Sequence, residues 1–249
     1  MIKKASLLSA LIFLVLALAA CSTAPAEPPD GRISVVATIF PQYDFARQIG
    51  GDKINLKMLV TPGGESHSYE PTPQDIKAVR ECDIFICAGG ESDIWYNTVL
   101  KSVEGDFTVI SLMDCVEAVE EEITEGMSEK LSLSGGGGHE EEPEYDEHVW
   151  TSLKNAQIIS RAIEEAMSSA DEANANFYRR NAEDYINRLS ELDRKYGEAV
   201  EKAENKTLVF GDRFPFRYLF DDYGLKYYAA FPGCSTESDV SAKTMLFLI

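Results

Sequence analysis

Short β-branched apolar runs recur between helix-like stretches, and this alternation restricts the fold more than any other feature of the chain. "ISVVATIF" (33–40), "INLKMLV" (54–60), "DIFICAGG" (83–90) and "FTVISLM" (107–113) read as strands. "PQYDFARQIGG", "TPQDIKAVREC" and "SDIWYNTVLKSV" between them read as helices. Pro41 suits the first turn of its helix and Gly50–Gly51 its end. Strands alternating with helices point to βαβ units, so the pattern predicts an α/β fold with mainly parallel sheets.

The N-terminus follows other rules. Lys3 and Lys4 precede an apolar run, Leu7–Ala20, broken only by Ser9. The run is too short to span a bilayer comfortably, which takes ~20 apolar residues. A cationic head, a short apolar stretch and small closing residues make a secretory signal over 1–20. Its end, "LALAACS", resembles the bacterial lipobox, so Cys21 is expected to carry a lipid and begin the mature chain. An unpaired exposed cysteine outside the cell argues the same way. The Pro- and Ala-rich stretch up to residue 32 then suits an extended tether. Localisation is therefore extracytoplasmic, on the bacterial cell membrane. Formal charge is −19, which excludes nucleic acid as a partner and is compatible with a cation. Cys82, Cys87, Cys115 and Cys234 form no CxxC pair, so a zinc ribbon is excluded. Disulfides and buried free thiols both remain open for them.

After residue 116 the pattern changes. Residues 117–147 carry a glycine run and an acidic cluster with little apolar periodicity, and read, with His148 at their end, as a mobile loop. Residues 152–170 form a helix with a stripe of Ile158, Ala162, Ile163 and Ala166. Residues 171–203 form a second helix of about thirty residues, ~45 Å long, which suits a connector between two lobes. "KTLVFGD" (206–212) and "LKYYAAF" (225–231) restart the strand pattern around a helix that ends at Gly224. Residues 237–249 begin one more helix, and the chain stops there in mid-apolar run. The expected organisation is an N-terminal lobe (33–151), a helical region (152–204) and a C-terminal lobe (205–249) that is incomplete, as in a truncated chain.

The chain has three histidines, and all sit among glycines and acids. His67 lies in the strand-to-helix loop "GGESHSYEPTPQD", His139 in "GGGGHEEE" and His148 in "YDEHVW". None lies on an apolar helical face, so a core role fits poorly; solvated surface histidine is the competing reading, and for His139 it weighs as much as function. Neutral imidazole is a common zinc ligand. Two imidazoles on separate loops at strand carboxyl ends can converge in the crevice where open α/β sheets bind ligands.

These residues resemble a known family. "HSYEPTPQD" followed by "DIFICAGGESDIW" is similar to the metal-binding solute-binding proteins of bacterial zinc/manganese ABC transporters, with His67, Tyr69, Glu70, Pro71, Thr72, Pro73 and Asp75 matching. "DEHVW" is similar to their second ligand segment through His148 and Trp150, and "FRYLFDDYGL" to the segment after the third ligand. The resemblance covers 33–249. It implies two βα lobes joined by a rigid helix, a metal held by His67 and His148, and no enzymatic chemistry. It also implies delivery of the ion, as a monomer, to a permease powered by an ATPase. The third-ligand position holds Arg213, which has no lone pair to offer. Its neighbour Asp212 is the candidate in its place, with a loop or helix-capping aspartate the equal alternative. His139 is a weaker loop candidate, and Glu237 receives no role. The fourth ligand of manganese-type members would fall beyond residue 249. Imidazoles with one carboxylate favour zinc, with manganese or iron as alternatives. Two other classes stay open: a zinc hydrolase, which the absence of HExxH disfavours, and a non-functional remnant or surface adhesin on the same scaffold.

Overall fold

A computed structural model describes residues 31–64, 69–90, 94–102, 107–127, 144–235 and 239–249. The signal segment, Cys21, His67, His139 and Glu237 lie outside the described residues. Residues Ile33–Ile249 make one compact unit holding both sheets.

The first half alternates as the sequence predicts: β1 (Ile33–Ala37), α1 (Phe40–Gly50), β2 (Ile54–Met58), α2 (Pro73–Arg80), β3 (Ile84–Cys87), α3 (Ile94–Ser102) and β4 (Thr108–Ser111). The four strands form a parallel sheet in the order β2-β1-β3-β4. Both faces are covered, and the period of two divides the side chains between them. Val35, Ile84 and Ile86 point into one core, with Phe45 and Ile49 of α1. Val36, Phe85 and Cys87 point into the other, with Val79 of α2 and Val99 of α3.

The helical region supplies most of the first core. α4 (Leu153–Ala170) buries Ala156, Ile159, Ile163 and Met167. The predicted stripe is thus displaced: Ile158 is exposed and Ile159 is fully buried. The Ser152 hydroxyl caps α4 by accepting from the Asn155 amide at 3.0 Å. α5 (Ala175–Lys202) has 28 residues, about 42 Å at 1.5 Å per residue. Tyr178, Ala182 and Leu189, over its first four turns, pack into the first core. Further along, Tyr223 donates to Asp193 at 2.7 Å and stacks on Tyr196. Tyr223 closes α6 (Arg217–Tyr223), so this one helix touches the elements of both sheets.

The second sheet is two parallel strands, β5 (Thr207–Phe214) and β6 (Lys226–Pro232), with α6 between them and α7 (Ala242–Leu248) after them. β5 runs past the expected end at 212, because the register shifts between Phe210 and Arg213 and pairing resumes at Arg213 and Phe214. Its core is small: Phe214, Phe220, Ala229 and Met127.

One sequence expectation changes, and one left open is decided. The loop reading of 117–148 fails at both ends. Glu120 and Tyr145 form an antiparallel bridge, and the Glu121 amide donates to the Glu144 carbonyl at 2.8 Å. Met127, Asp146 and Glu147 are buried. Low apolar periodicity does not exclude order where tertiary contacts satisfy the backbone. Cys82, Cys87, Cys115 and Cys234 are all free thiols. Burial pushes the Cys82 thiol up to about 12, with the Asp83 charge adding to it, so it behaves as an inert apolar group.

Candidate metal centre

The segment that follows His67 is anchored by one carboxylate. Asp75 accepts from the Tyr69 hydroxyl at 2.9 Å, the Thr72 amide at 3.0 Å, the Thr72 hydroxyl at 2.5 Å and Lys57 Nζ at 2.9 Å. Thr72 in turn accepts from the Asp75 amide, so the two form a capping box at the start of α2. Burial alone would raise the Asp75 carboxyl, but the bonds from Thr72, Lys57 and Tyr69 hold it down at about 2. Tyr69 also lies edge-on to Trp95, with ring centroids 5.1 Å apart. The matching residues Tyr69, Thr72 and Asp75 therefore have a local task, which is to fix the chain just after His67 relative to β2 and α2.

His148 stands before the short 3-10 turn Val149–Thr151 that leads into α4. Asp146 sets its orientation. The Asp146 Oδ1 accepts from the His148 amide and from ring Nδ1, both at 2.8 Å. That bond places the proton on Nδ1 and leaves Nε2 with its lone pair, the arrangement in which a carboxylate orients a metal-binding histidine. Asp146 is pinned through its backbone. Its amide donates to the Val119 carbonyl at 3.0 Å, and its carbonyl accepts from the Tyr218 hydroxyl at 2.6 Å. The Tyr218 oxygen also accepts from the Val119 amide at 3.1 Å. Burial pushes that hydroxyl up to about 12, so it remains a donor. Trp150 meets the imidazole edge-on at 5.4 Å.

Two glycine sites permit this packing. At Gly90, just past β3, an added Cβ would stand 2.1 Å from Glu147 Cγ. At Gly233, just past β6, it would stand 2.9 Å from the Phe214 carbonyl oxygen and 3.2 Å from His148 Nδ1. Gly90 is thus a packing surface for the acidic residue before His148. The turns just past the carboxyl ends of β3 and β6 meet the His148 segment, where open α/β sheets place their ligands.

Among the described residues, one group has metal-ligand spacing: Asp146, His148 and Cys234, whose donor atoms lie within 4.8 Å of one another. Burial pushes the Cys234 thiol well up, and the carboxylates of Glu121, Glu147 and Asp146 add to this. Its amide donates to Glu121 Oε1 at 2.8 Å. Of the residues singled out from the sequence, only His148 belongs to this group. Asp212 is exposed in β5, where its Oδ1 accepts from the Arg213 amide at 2.8 Å. Asp146 carried a signal in the "DEH" string, but an acid beside acids has nothing to set it apart. Cys234 carried none.

Parallel strands joined through helices, with a carboxylate-held imidazole beside the turns past β3 and β6, make an α/β protein with a candidate ligand site. The chain belongs to the ZnuA family, described as zinc-uptake complex component A, periplasmic, whose model matches residues 35–249. It is 30% identical over 249 residues to the zinc-binding lipoprotein AdcA of Streptococcus pneumoniae R6, an alignment that covers 96% of this chain. The chain spans about half, 46%, of the length of that relative. It is 30% identical over 228 residues to the manganese ABC transporter substrate-binding lipoprotein PsaA of Streptococcus anginosus, covering 90% of this chain and 70% of that protein. The crystal structure of the Zn(II)-bound ZnuA-like domain of S. pneumoniae AdcA superposes with a TM-score of 0.68 at 27% identity, covering 87% of this chain and 73% of that one.

Proposed function

We propose that this chain is an extracytoplasmic substrate-binding protein that captures a divalent transition metal, zinc in the first place, and delivers it to an ABC-type importer. The observation that carries this reading is the His148 imidazole, held through Nδ1 by Asp146 with Nε2 left as a ligand. His67 is the second ligand of the proposal. Its support is the sequence motif, whose following residues Tyr69, Thr72 and Asp75 form a fixed mount. Asp212 and His139 stay as weaker candidates on sequence grounds. The membrane anchor is the lipid on Cys21. The lobes are 33–151 and 205–249, with 152–204 between them. The partners are a permease and its ATPase, met by a monomer. AdcA is named a zinc-binding lipoprotein and PsaA an ABC transporter substrate-binding lipoprotein, and this chain is read the same way, as no enzyme.

Zinc is favoured because imidazole nitrogen suits it better than it suits manganese. The manganese transport named for PsaA keeps that ion as the alternative. Calorimetric titration of the purified chain with zinc and manganese tests the reading. His148→Ala and His67→Ala are each expected to weaken zinc binding by about 100-fold. Zinc affinity unchanged in both variants would falsify the proposal. Peptidase and esterase assays on the zinc-loaded chain are expected to show no turnover above free zinc.

A further inference from the structure

Gly233 lies in the turn at 232–235, which the Ser235 amide closes by donating to the Pro232 carbonyl at 3.3 Å, and its backbone is not left-handed. The turn itself therefore does not call for glycine; the neighbouring His148 ring does. We propose that Gly233 and Glu121 are positioning residues of the metal site: the turn after β6, held by Glu121, lays bare backbone against the His148 imidazole and fixes the direction of Nε2. The inference deepens the capture reading and rests on its claim that His148 binds metal through Nε2, but it needs neither His67 nor Asp212.

An added Cβ at 233 would stand 2.9 Å from the Phe214 carbonyl oxygen, 3.2 Å from His148 Nδ1 and 3.3 Å from Cε1. Phe214 is paired with Pro232 in the sheet, so its backbone cannot give way and the ring must. The bare backbone thus closes the Nδ1–Cε1 side of the imidazole, beside the bond in which Asp146 Oδ1 accepts from Nδ1 at 2.8 Å. One hydrogen bond alone lets a ring swing about the bonded atom. A second contact next to it removes that freedom and leaves Nε2, across the ring, as the open nitrogen. One short segment secures both contacts. The Val119 carbonyl accepts from the Asp146 amide at 3.0 Å, and two residues on, Glu121 Oε1 accepts from the Cys234 amide at 2.8 Å. Glu121 is fixed in turn, because its own amide donates to the Glu144 carbonyl at 2.8 Å. Its carboxylate therefore acts on the ring through the turn. A side chain that is already held loses little rotamer freedom when the ion arrives, which is worth up to about tenfold in affinity.

Calorimetric zinc titration of the full chain and its variants tests this. Gly233→Ala and Glu121→Ala are each expected to weaken zinc binding by about tenfold. Glu121→Gln keeps an oxygen that can accept from the Cys234 amide and is expected to stay within about twofold of the wild type, a rescue that a role for the bare charge would not give. Gly233→Ala placed on His148→Ala should cost no further zinc affinity, since the ring through which it acts is gone. Should Gly233→Ala fail to fold, the Glu121→Ala and Glu121→Gln pair carries the test alone. Wild-type affinity in Gly233→Ala or in Glu121→Ala, an equal loss from Gly233→Ala with and without the imidazole, or a loss in Glu121→Gln as large as in Glu121→Ala overturns the inference. If His148→Ala loses zinc while Gly233→Ala and Glu121→Ala keep it, the inference fails and the capture reading stands. If His148→Ala binds zinc as the wild type does, the capture reading fails and takes the inference with it.

Discussion

The two sheets are built on the same parallel plan and differ in how much each buries. In the first, β3 is buried at all four positions and β1 at four of five, because α1, α4 and α5 cover one face and α2 and α3 the other. In the second, β5 is buried only at Phe214, while Leu208, Val209 and Tyr228 remain exposed. The second sheet is held by what reaches it from the first. Met127 enters its core, Glu122 pairs with Arg217, and Tyr218 bonds to Val119 and Asp146. Ser152 donates to Asp222 at 2.6 Å and Lys154 pairs with it at 3.0 Å, tying the start of α4 to α6. Local stability is therefore unequal, and the segment carrying His148 lies where the stable part meets the weakly covered part.

The comparison breaks first in the core. Ile159→Ala removes a fully buried side chain and is expected to cost about 2–5 kcal/mol, whereas Val209→Ala at a half-exposed site should stay within about 0.5. Thermal denaturation of the two variants measures this, and equal losses would mean that the second sheet is no weaker than the first.

Acid sharpens the contrast next. The Asp75 carboxyl is lowered from 3.8 to about 2 in the folded chain. A group with a depressed folded value stabilises the fold fully above its unfolded value and loses that contribution as pH falls through the folded one. Asp75→Asn should therefore cost up to about 2 kcal/mol at neutral pH, and the gap to wild type should close between about pH 4 and pH 2. Urea unfolding across that range checks it; a gap independent of pH would show that the carboxylate charge contributes nothing.

The smallest effect concerns the joint between the sheets. Tyr218→Phe keeps the ring and removes the hydrogen bonds to Asp146 and Val119, which should cost about 1 kcal/mol of stability. It should also weaken zinc binding by more than a matched change on the other side, such as Tyr69→Phe. Calorimetry on the two variants settles whether Tyr218 positions His148 or only fills space.

Much of this was readable along the chain because it depends on neighbours. Strands and helices of the first sheet follow from short-range periodicity, and Gly224 marks the end of α6 because its left-handed conformation suits glycine. His148 stood out because imidazole is rare here and sits outside any apolar stripe. The order at 117–127 and 144–148 was not readable, since its bonds run to partners far away, such as Tyr218, 72 residues from Asp146. Asp146 itself looked like one more acid in an acidic run.

The sequence by itself determined the alternating elements, the parallel class and one histidine with chemistry to offer, because each follows from residue type and short-range spacing. Only the tertiary structure decided which carboxylate orients that histidine and which thiol lies beside it. Asp146 is one of several acids in its run, and Cys234 comes from the turn after β6, far along the chain; nothing local to either records that the fold brings it within reach of one ring.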